Sequence, residues 1–174
     1  MTYDEVTRFH GHSCPGSAIG YRMALAAMAA LGALRAGDEE LVAIAENNAC
    51  GVDALQLISG CTLGKGNLIF LDHGKPVYTL FSRTDGRGVR VLFRDGAIPP
   101  ELRQDRERRL QFILAAADRE ILSLGEPQLP LPAKAQIYTT LTCANCGEPV
   151  METRLREVAG RQLCLPCTQK NAKP

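Results

Sequence analysis

The sequence predicts an α+β core domain, in which helices pack on a sheet with antiparallel strands, followed by a small C-terminal zinc finger. Three observations predict this organisation. An alanine-rich helical segment near the start is followed by several runs rich in Val, Ile, Leu and Phe. Two C-x-x-C pairs stand near the C-terminus. At 174 residues, the chain has room for one domain and a small appended module.

The first predicted element is a helix over 17–34. Its sequence, SAIGYRMALAAMAALGAL, carries Arg22 as its only charge, so we expect it to be buried on most sides. The apolar stretch is too short to span a bilayer, and the polar start of the chain lacks the pattern of a secretory signal. We therefore expect a cytoplasmic protein without a membrane segment.

The middle of the chain predicts the sheet. We expect, in order, a buried strand at 41–46, a short helix at 50–60, two strands within 67–83 joined at His73 and Gly74, and a further strand at 88–94. Because His73 lies in the predicted turn, we expect its imidazole to face solvent. The alternative is that the turn lies at the rim of a cleft, where the imidazole binds a ligand.

The last part of the core predicts one long helix over 99–122. It begins with prolines suited to a first turn, and apolar side chains recur at helical spacing, namely Leu102, Leu110, Ile113, Leu114, Ala117 and Ile121. The prolines of 125–136 disfavour regular structure. The predicted boundaries are therefore 1–124 for the core, 125–138 for a proline-rich linker and 139–174 for the zinc finger.

The charge balance is nearly neutral. Lys and Arg total 20 against 19 Asp and Glu, which gives a net charge of +1. This balance gives no electrostatic reason to expect nucleic acid or a membrane surface as the main partner. We expect neither.

The C-terminal cysteines give the strongest signal in the sequence. Cys143 and Cys146 form one C-x-x-C pair, and Cys164 and Cys167 form another, with 17 residues between the pairs. This spacing is typical of a tetrahedral four-thiolate zinc site, which leaves no open coordination position and is therefore structural. A redox dithiol or plain reduced cysteines are the alternative. We expect the finger to present a surface to a protein partner.

The segment FHGHSCPG, at 9–16, sets His10, His12 and Cys14 at alternate positions. If the backbone is extended there, the two imidazoles and the thiol share one face. Pro15 favours a first helical turn, so Cys14 becomes an N-cap whose sulfur the free amides hold as a thiolate. Such a sulfur is a metal ligand or a nucleophile. In the alternative interpretation, the histidines cap loops and Cys14 packs as a small apolar side chain.

Two further cysteines stand beside tight turns around the predicted helix at 50–60. Cys50 and Cys61 both lie within reach of the same cleft, and Asp53 adds a polar group to the first turn of that helix. Lys65, between glycines, suits a carboxylate or phosphate, and a turn with a solvated lysine is equally compatible with the sequence. The candidate reactive residues are Cys14, His12, Cys50, Cys61 and Lys65, and the candidate cleft metal ligands are His10, His12, Cys14 and Cys61.

Three long features together resemble the FmdE family, which takes its name from one of the subunits of formylmethanofuran dehydrogenase. They are FHGHSCPGSAIGYRM, then ENNACGVDALQLISGCTLGKGNLIFLDHGKPVYTLF, and the terminal pair of C-x-x-C sequences. The resemblance implies an α+β core that forms a homodimer and an auxiliary treble-clef zinc finger. It also implies that His12, Cys14, Cys50 and Cys61 line a shared cleft that binds a second metal ion.

Three functional hypotheses follow. The first is a cytoplasmic metal-binding protein accessory to molybdenum- or tungsten-linked one-carbon redox metabolism, with a cleft for a metal or a small anionic ligand. The second is a stand-alone enzyme that uses a cleft metal or the Cys14 thiolate, with Lys65 holding an anionic group. The third is a ligand-sensing transcriptional regulator that uses the finger. No iron–sulfur or pterin motif is present, so the chain does not carry out the redox reaction by itself.

Overall fold

The computed structural model describes residues 1–171. The chain forms two compact units, the first over Met1–Ala135 and the second from Gln136 onward. The helices of the first unit are α1 Tyr3–His10, α2 Pro15–Leu31, α3 Gly51–Ser59, α4 Arg106–Ala115 and α5 Asp118–Ile121. Its strands are β1 Leu41–Ala45, β2 Leu68–Phe70, β3 Val77–Ser82, β4 Gly88–Phe93 and β5 Leu122–Gly125. No helix in residues 1–171 combines the length and apolar character that a membrane span requires.

The five strands form one mixed sheet in the order β2-β1-β3-β4-β5. β1 pairs in parallel with β2 and antiparallel with β3, and the pairs β3–β4 and β4–β5 are antiparallel. The α+β class predicted from the sequence is confirmed.

The main core lies between the helices and one face of the sheet. Alternate residues along the strands, such as Leu80 of β3 and Val91 of β4, are fully buried there. Met23 of α2 and Leu55 of α3 pack into the same core. Full burial of a side chain of this size stabilises the fold by about 1.5–3 kcal/mol, so this layer fixes the helices on the sheet.

Helix α2 begins and ends where its sequence requires. Cys14 is the N-cap in an extended conformation, Pro15 occupies the first helical position, and Ser17 closes a capping box with the Cys14 side chain. Gly32 ends the helix in the left-handed conformation, with φ 60°. The prediction that Cys14 caps this helix is confirmed.

Helices α2 and α3 touch backbone to backbone. A Cβ atom added to Gly20 would overlap the carbonyl group of Gly51, and one added to Gly51 would lie 2.9 Å from the Cα atom of Gly20. Only glycine permits this approach. A Cβ added to Gly16, one turn before Gly20, would lie 3.2 Å from the Cβ atom of Cys50. The contact therefore brings the N-cap of α2 beside the start of α3.

The two strands predicted within 67–83 are present, but they do not pair with each other as a hairpin. β2 and β3 lie on opposite sides of β1, so the connection between them crosses the end of β1. The side chain of Asn47, which follows β1, donates to the Lys75 carbonyl at 2.5 Å and holds this crossing connection. His73 is half-exposed, and its Nδ1 atom lies 3.0 Å from the buried carboxylate of Glu46.

The single helix predicted over 99–122 is broken in the structure. A 3-10 turn at Pro100–Leu102 precedes α4, extended backbone at Ala116 and Ala117 separates α4 from α5, and Leu122 begins β5. Arg22 provides the physical reason, because its guanidinium donates to the carbonyls of Ile113, Leu114 and Ala116 at 2.6–2.8 Å. The guanidinium thus gives the free carbonyls at the end of α4 the hydrogen-bond donors that a further helical turn would otherwise supply, so the helix ends there.

The segment predicted as a linker, 125–138, lies partly on the first unit. Arg83 donates to the carbonyls of Pro132 and Ala133, and the Ala135 N–H donates to the Glu39 carboxylate at 3.0 Å. These bonds hold the segment up to Ala135 along the sheet domain.

The second unit contains two hairpins and a helix. They are β6 Thr140–Thr142 with β7 Pro149–Met151, β8 Leu155–Val158 with β9 Arg161–Cys164, and α6 Leu165–Asn171. The sulfurs of the four cysteines, at 143, 146, 164 and 167, all lie within 4.8 Å of one another. The predicted four-cysteine group is therefore assembled in the structure.

Backbone and side-chain amides hold these sulfurs as metal ligands. The Cys164 N–H donates to the Cys143 sulfur at 3.3 Å, and the Asn145 side chain donates to the Cys167 sulfur at 3.3 Å. The backbone N–H groups of Cys146, Cys164 and Asn145 lower the pKa of Cys143 to about 6, which favours the thiolate that zinc binds. Besides cysteines, only Leu155 and Leu163 are buried in the core of this unit, among the residues described. A core this small makes metal binding the main source of stability.

The close contact between α2 and α3 predicts a large effect of one methyl group. We expect Gly20→Ala to lower the free energy of unfolding of the first unit by about 1–3 kcal/mol, because the added methyl overlaps rigid backbone. Urea denaturation followed by circular dichroism measures this. Gly96→Ala is the matched control, because nothing lies within 4 Å of a Cβ atom at Gly96. Equal stability of the two variants would contradict the assigned contact.

Removal of metal from the second unit should unfold that unit alone. We expect Cys146→Ser to abolish protection from hydrogen exchange in residues 139–169 and to leave protection in α2 and β3 unchanged. Segment-resolved hydrogen exchange by mass spectrometry measures both. Glu157→Gln, which changes an exposed side chain of the finger and none of its cysteines, is the control. Simultaneous loss of protection in both units would show that they do not fold independently.

Candidate metal centre

A second group of metal-binding side chains lies in the first unit. The donor atoms of His10, His12, Cys14 and Cys50 all lie within 4.8 Å of one another. His10 is the last residue of α1, Cys14 caps α2, and Cys50 directly precedes α3. Three helix ends therefore meet at this point.

The backbone from His10 to Cys14 is not one extended segment. Helix α1 runs to His10, and Gly11 ends it with φ 92° and donates its N–H to the Thr7 carbonyl at 2.9 Å. The left-handed turn at Gly11 sends the chain back, and the rings of His10 and His12 then lie 4.5 Å apart, centroid to centroid. The predicted convergence of these side chains is thus produced by a helix cap.

Contacts at the start of its own helix lower the pKa of the Cys14 thiol. Burial alone raises this pKa, but hydrogen bonds from Ser17, together with contacts from Cys50 and Gly16, outweigh burial and leave the pKa below its ordinary value. The Ser17 N–H lies 3.3 Å from the sulfur, and the hydroxyl oxygen lies 3.4 Å away. Tyr3 completes the support, because its hydroxyl oxygen accepts from the Cys14 N–H at 3.2 Å.

The Cys50 sulfur has the opposite tendency. Desolvation and the neighbouring Cys14 sulfur raise the pKa of Cys50 above its ordinary value. The pKa values of the two thiols are therefore shifted in opposite directions. A Cβ atom added to Gly16 would lie 3.7 Å from the Cys50 sulfur and 3.8 Å from the Cys14 sulfur, so the glycine leaves room between them.

His10 is oriented by a carboxylate. Its Nδ1 atom lies 2.7 Å from Asp53 Oδ2, and this hydrogen bond raises the pKa of His10. Its other nitrogen, Nε2, faces the Cys14 sulfur at 4.0 Å. A histidine that ligates a metal through one nitrogen usually donates its other N–H to a carboxylate in this way.

The four side chains fit a tetrahedral metal ion. Bond lengths of about 2.3 Å to sulfur and 2.0–2.1 Å to nitrogen place ligand atoms roughly 3.3–3.8 Å apart, which small side-chain rotations achieve from the observed spacing within 4.8 Å. Two imidazoles and two thiolates are a donor set typical of zinc. His12 is exposed, so solvent reaches the group.

A cavity of about 420 Å³ adjoins the group. His10, Cys50 and Asp53 lie in its wall together with apolar side chains from α3, β2 and the loop between them. The apolar wall residues include Val52, Leu63, Leu68 and Phe70. The arrangement is that of a ligand pocket with metal-binding side chains at one side.

The structure does not bring Cys61 or Lys65 to this group. Cys61 is fully buried in the main core, where desolvation raises its pKa. The Lys65 ammonium donates to the carbonyls of Gly37 and Asp38, at 3.4 and 3.0 Å. Neither residue lines the cavity. The segment G-C-T-L-G-K-G, at 60–66, therefore forms the connection before β2 and is not part of the metal-binding group.

Asp53 is the functional residue whose role the sequence did not reveal. The sequence indicates only that Asp53 is a polar group in the first turn of α3, because 43 positions separate it from its partner His10. Helix periodicity places Asp53 one turn after Cys50 on α3, on the side that faces α1. That position becomes informative only when the packing of α1 on α3 is known.

Known proteins show similarity over the whole chain. A curated relative, the probable S-adenosyl-L-methionine-binding protein of Archaeoglobus fulgidus, is 33% identical over 91% of this chain and 50% of its own length. The chain thus spans about half the length of this relative. The crystal structure of a tungsten formylmethanofuran dehydrogenase FmdE-like protein from Syntrophus aciditrophicus is also similar, with 28% identity, a TM-score of 0.71 and coverage of 100% of this chain and 96% of that one.

Two family models match the two units. The prokaryotic dksA/traR C4-type zinc finger matches residues 136–171, in agreement with a structural zinc at the four cysteines. The model described as FmdE, molybdenum formylmethanofuran dehydrogenase operon, matches residues 9–146, which is most of the chain. This chain therefore belongs to the FmdE family.

Proposed function

We propose that this chain is a metal-binding protein accessory to molybdenum- or tungsten-linked one-carbon redox metabolism, and that its N-terminal cleft holds a transition metal. The observation that carries the metal site is the convergence of His10, His12, Cys14 and Cys50, with Asp53 orienting His10. A zinc ion held there by His10, Cys14 and Cys50 would act as a Lewis acid toward a ligand in the adjoining cavity once the exposed His12 gives up its position.

The chain's own residues prepare the cleft for metal. Asp53 fixes the ring of His10 and leaves Nε2 directed at the group. Ser17 lowers the pKa of the Cys14 thiol, which favours the charged form that a metal binds, and Gly16 leaves the space between the two sulfurs open. Each of these contacts reduces the reorganisation that metal binding requires.

A small anionic ligand alone is less well supported than a metal. Lys65, the side chain expected to hold such an anion, has its ammonium on backbone carbonyls. Within the part of the chain that the structure describes, no Lys or Arg lines the cavity. The Asp53 carboxylate, and the Cys14 thiol with its lowered pKa, favour a cation over an anion there.

The metabolic assignment is supported by the names of similar proteins. The family model and the name of the Syntrophus protein both refer to formylmethanofuran dehydrogenase. We propose a cytoplasmic location, because free thiolates that ligate a metal persist in a reducing compartment. We also propose that the chain forms a homodimer and that its zinc finger docks a protein partner. A direct binding measurement between this chain and the purified molybdenum or tungsten enzyme tests the accessory role.

The cavity beside the cleft favours a second candidate, a stand-alone metal-dependent enzyme. A cavity of about 420 Å³ is large enough for a substrate in contact with the metal-binding group. The chain matches only half of the archaeal relative, so the ligand in that relative's name does not assign a substrate to this chain.

Metal analysis of single-residue variants tests the cleft. We expect two equivalents of zinc in the wild-type chain, one in the finger and one in the cleft, and a single equivalent in Cys14→Ala and in Cys50→Ala. Asp53→Asn should retain the second zinc with about 10–100-fold lower affinity. Inductively coupled plasma mass spectrometry gives the stoichiometry, and chelator competition gives the affinity.

The matched control is Cys61→Ala, which removes a buried thiol outside the group. It should keep both equivalents of zinc. Unchanged zinc content in the Cys14→Ala variant, or equal loss in the Cys61→Ala variant, would rule out the cleft site.

A further inference from the structure

We propose that the cavity beside the metal-binding cleft takes a flat, largely apolar organic ligand without net negative charge, which presents a donor atom to the metal in place of the exposed His12. This inference rests on the proposed metal site and specifies its ligand. It replaces the anionic ligand expected from the sequence, because the lining side chains favour a ligand of different charge.

The walls of the cavity are mainly apolar. The wall includes Val52 of α3, Leu63 of the loop before β2, and Leu68 and Phe70 of β2. Leu63 retains 67% and Phe70 retains 43% of the exposure of a free side chain. A ligand that covers these side chains gains the free energy of removing apolar surface from water. The volume of about 420 Å³ suits one small molecule.

The charges at the metal end disfavour an anion. A divalent metal with two thiolates and neutral imidazole ligands is neutral whether or not His12 is bound, so the Asp53 carboxylate leaves a net charge of about −1 beside the cavity. In the portion of the chain described, the cavity wall contains neither Lys nor Arg. A ligand carboxylate would therefore be repelled by Asp53 and find no cation to pair with, at a high cost in a partly desolvated site.

The aromatic wall favours a flat body. The ring of Phe70 offers a surface on which another ring stacks, and its face attracts a positive charge. Asn48 lies in the same wall and is exposed, so its amide is available to a neutral heteroatom on the ligand. An uncharged or cationic ring system with one nitrogen or sulfur donor satisfies all these features.

Three imidazoles with the same donor group test the proposal on cobalt(II)-loaded protein. The probes are imidazole, 4-phenylimidazole and its carboxylate analogue 4-(4-carboxyphenyl)imidazole, and the readout is the shift of the cobalt absorption bands. The spectrum of the Cys14→Ser variant, which keeps the cobalt of the finger, is subtracted to isolate the bands of the cleft.

We expect 4-phenylimidazole to bind at least about tenfold more tightly than imidazole. We expect the carboxylate analogue to bind about tenfold more weakly than 4-phenylimidazole.

Variants of the cavity wall provide the second measurement. Leu63→Ser should reduce the preference for 4-phenylimidazole over imidazole several-fold, because it removes exposed apolar wall without disturbing the core. Leu124→Ser on β5, which changes an equally apolar and 45% exposed side chain outside the cavity, should leave the preference unchanged.

The outcomes separate this inference from the proposed metal site. Absence of any cobalt band that depends on Cys14 overturns both. A Cys14-dependent band with equal affinity for imidazole and 4-phenylimidazole, or with tighter binding of the carboxylate analogue, overturns the ligand class and leaves the metal site intact. Failure of all three probes to shift a Cys14-dependent band likewise overturns the ligand class.

Discussion

The backbone contact between Gly20 and Gly51 is the constraint on which the rest of the structure depends. Helices that carry side chains at their contact usually lie about 8–10 Å apart, and two facing glycines allow a closer approach. This approach sets the start of α3 beside the N-terminus of α2, so Cys50 reaches Cys14. Helix α1 then packs across the same two helices and adds His10. The metal-binding group is thus a consequence of how closely two helix backbones meet.

The parts of the fold that depend on local sequence were predictable. The alanine-rich helix, the buried strand that follows it and the four-cysteine module all have short-range signals. Helix α1 was not predicted, although Thr2 and Glu5 form a capping box at its start and Tyr3, Val6 and Phe9 recur at helical spacing, because eight residues give only a short periodic signal. The break after α4 was not predictable, since it depends on Arg22, about ninety positions earlier in the chain.

The candidate site was predictable in its residue types and only partly in its membership. His10, His12 and Cys14 are close in sequence, so their meeting needed only a turn. The choice between Cys50 and Cys61 required tertiary structure, because both flank α3 and only one faces α2. The sign of the charge in the cavity likewise depends on packing, which brings Asp53 to the site and directs Lys65 elsewhere. Residue spacing alone carries no information about either.

Anomalous diffraction from crystals of the zinc-loaded protein tests the central claim most directly. The account predicts two zinc peaks in each chain, one among the four cysteines of the finger and one bound by the sulfurs of Cys14 and Cys50 at about 2.3 Å, with His10 Nε2 as a further ligand. A single peak in the finger, in crystals grown with excess zinc, would contradict it.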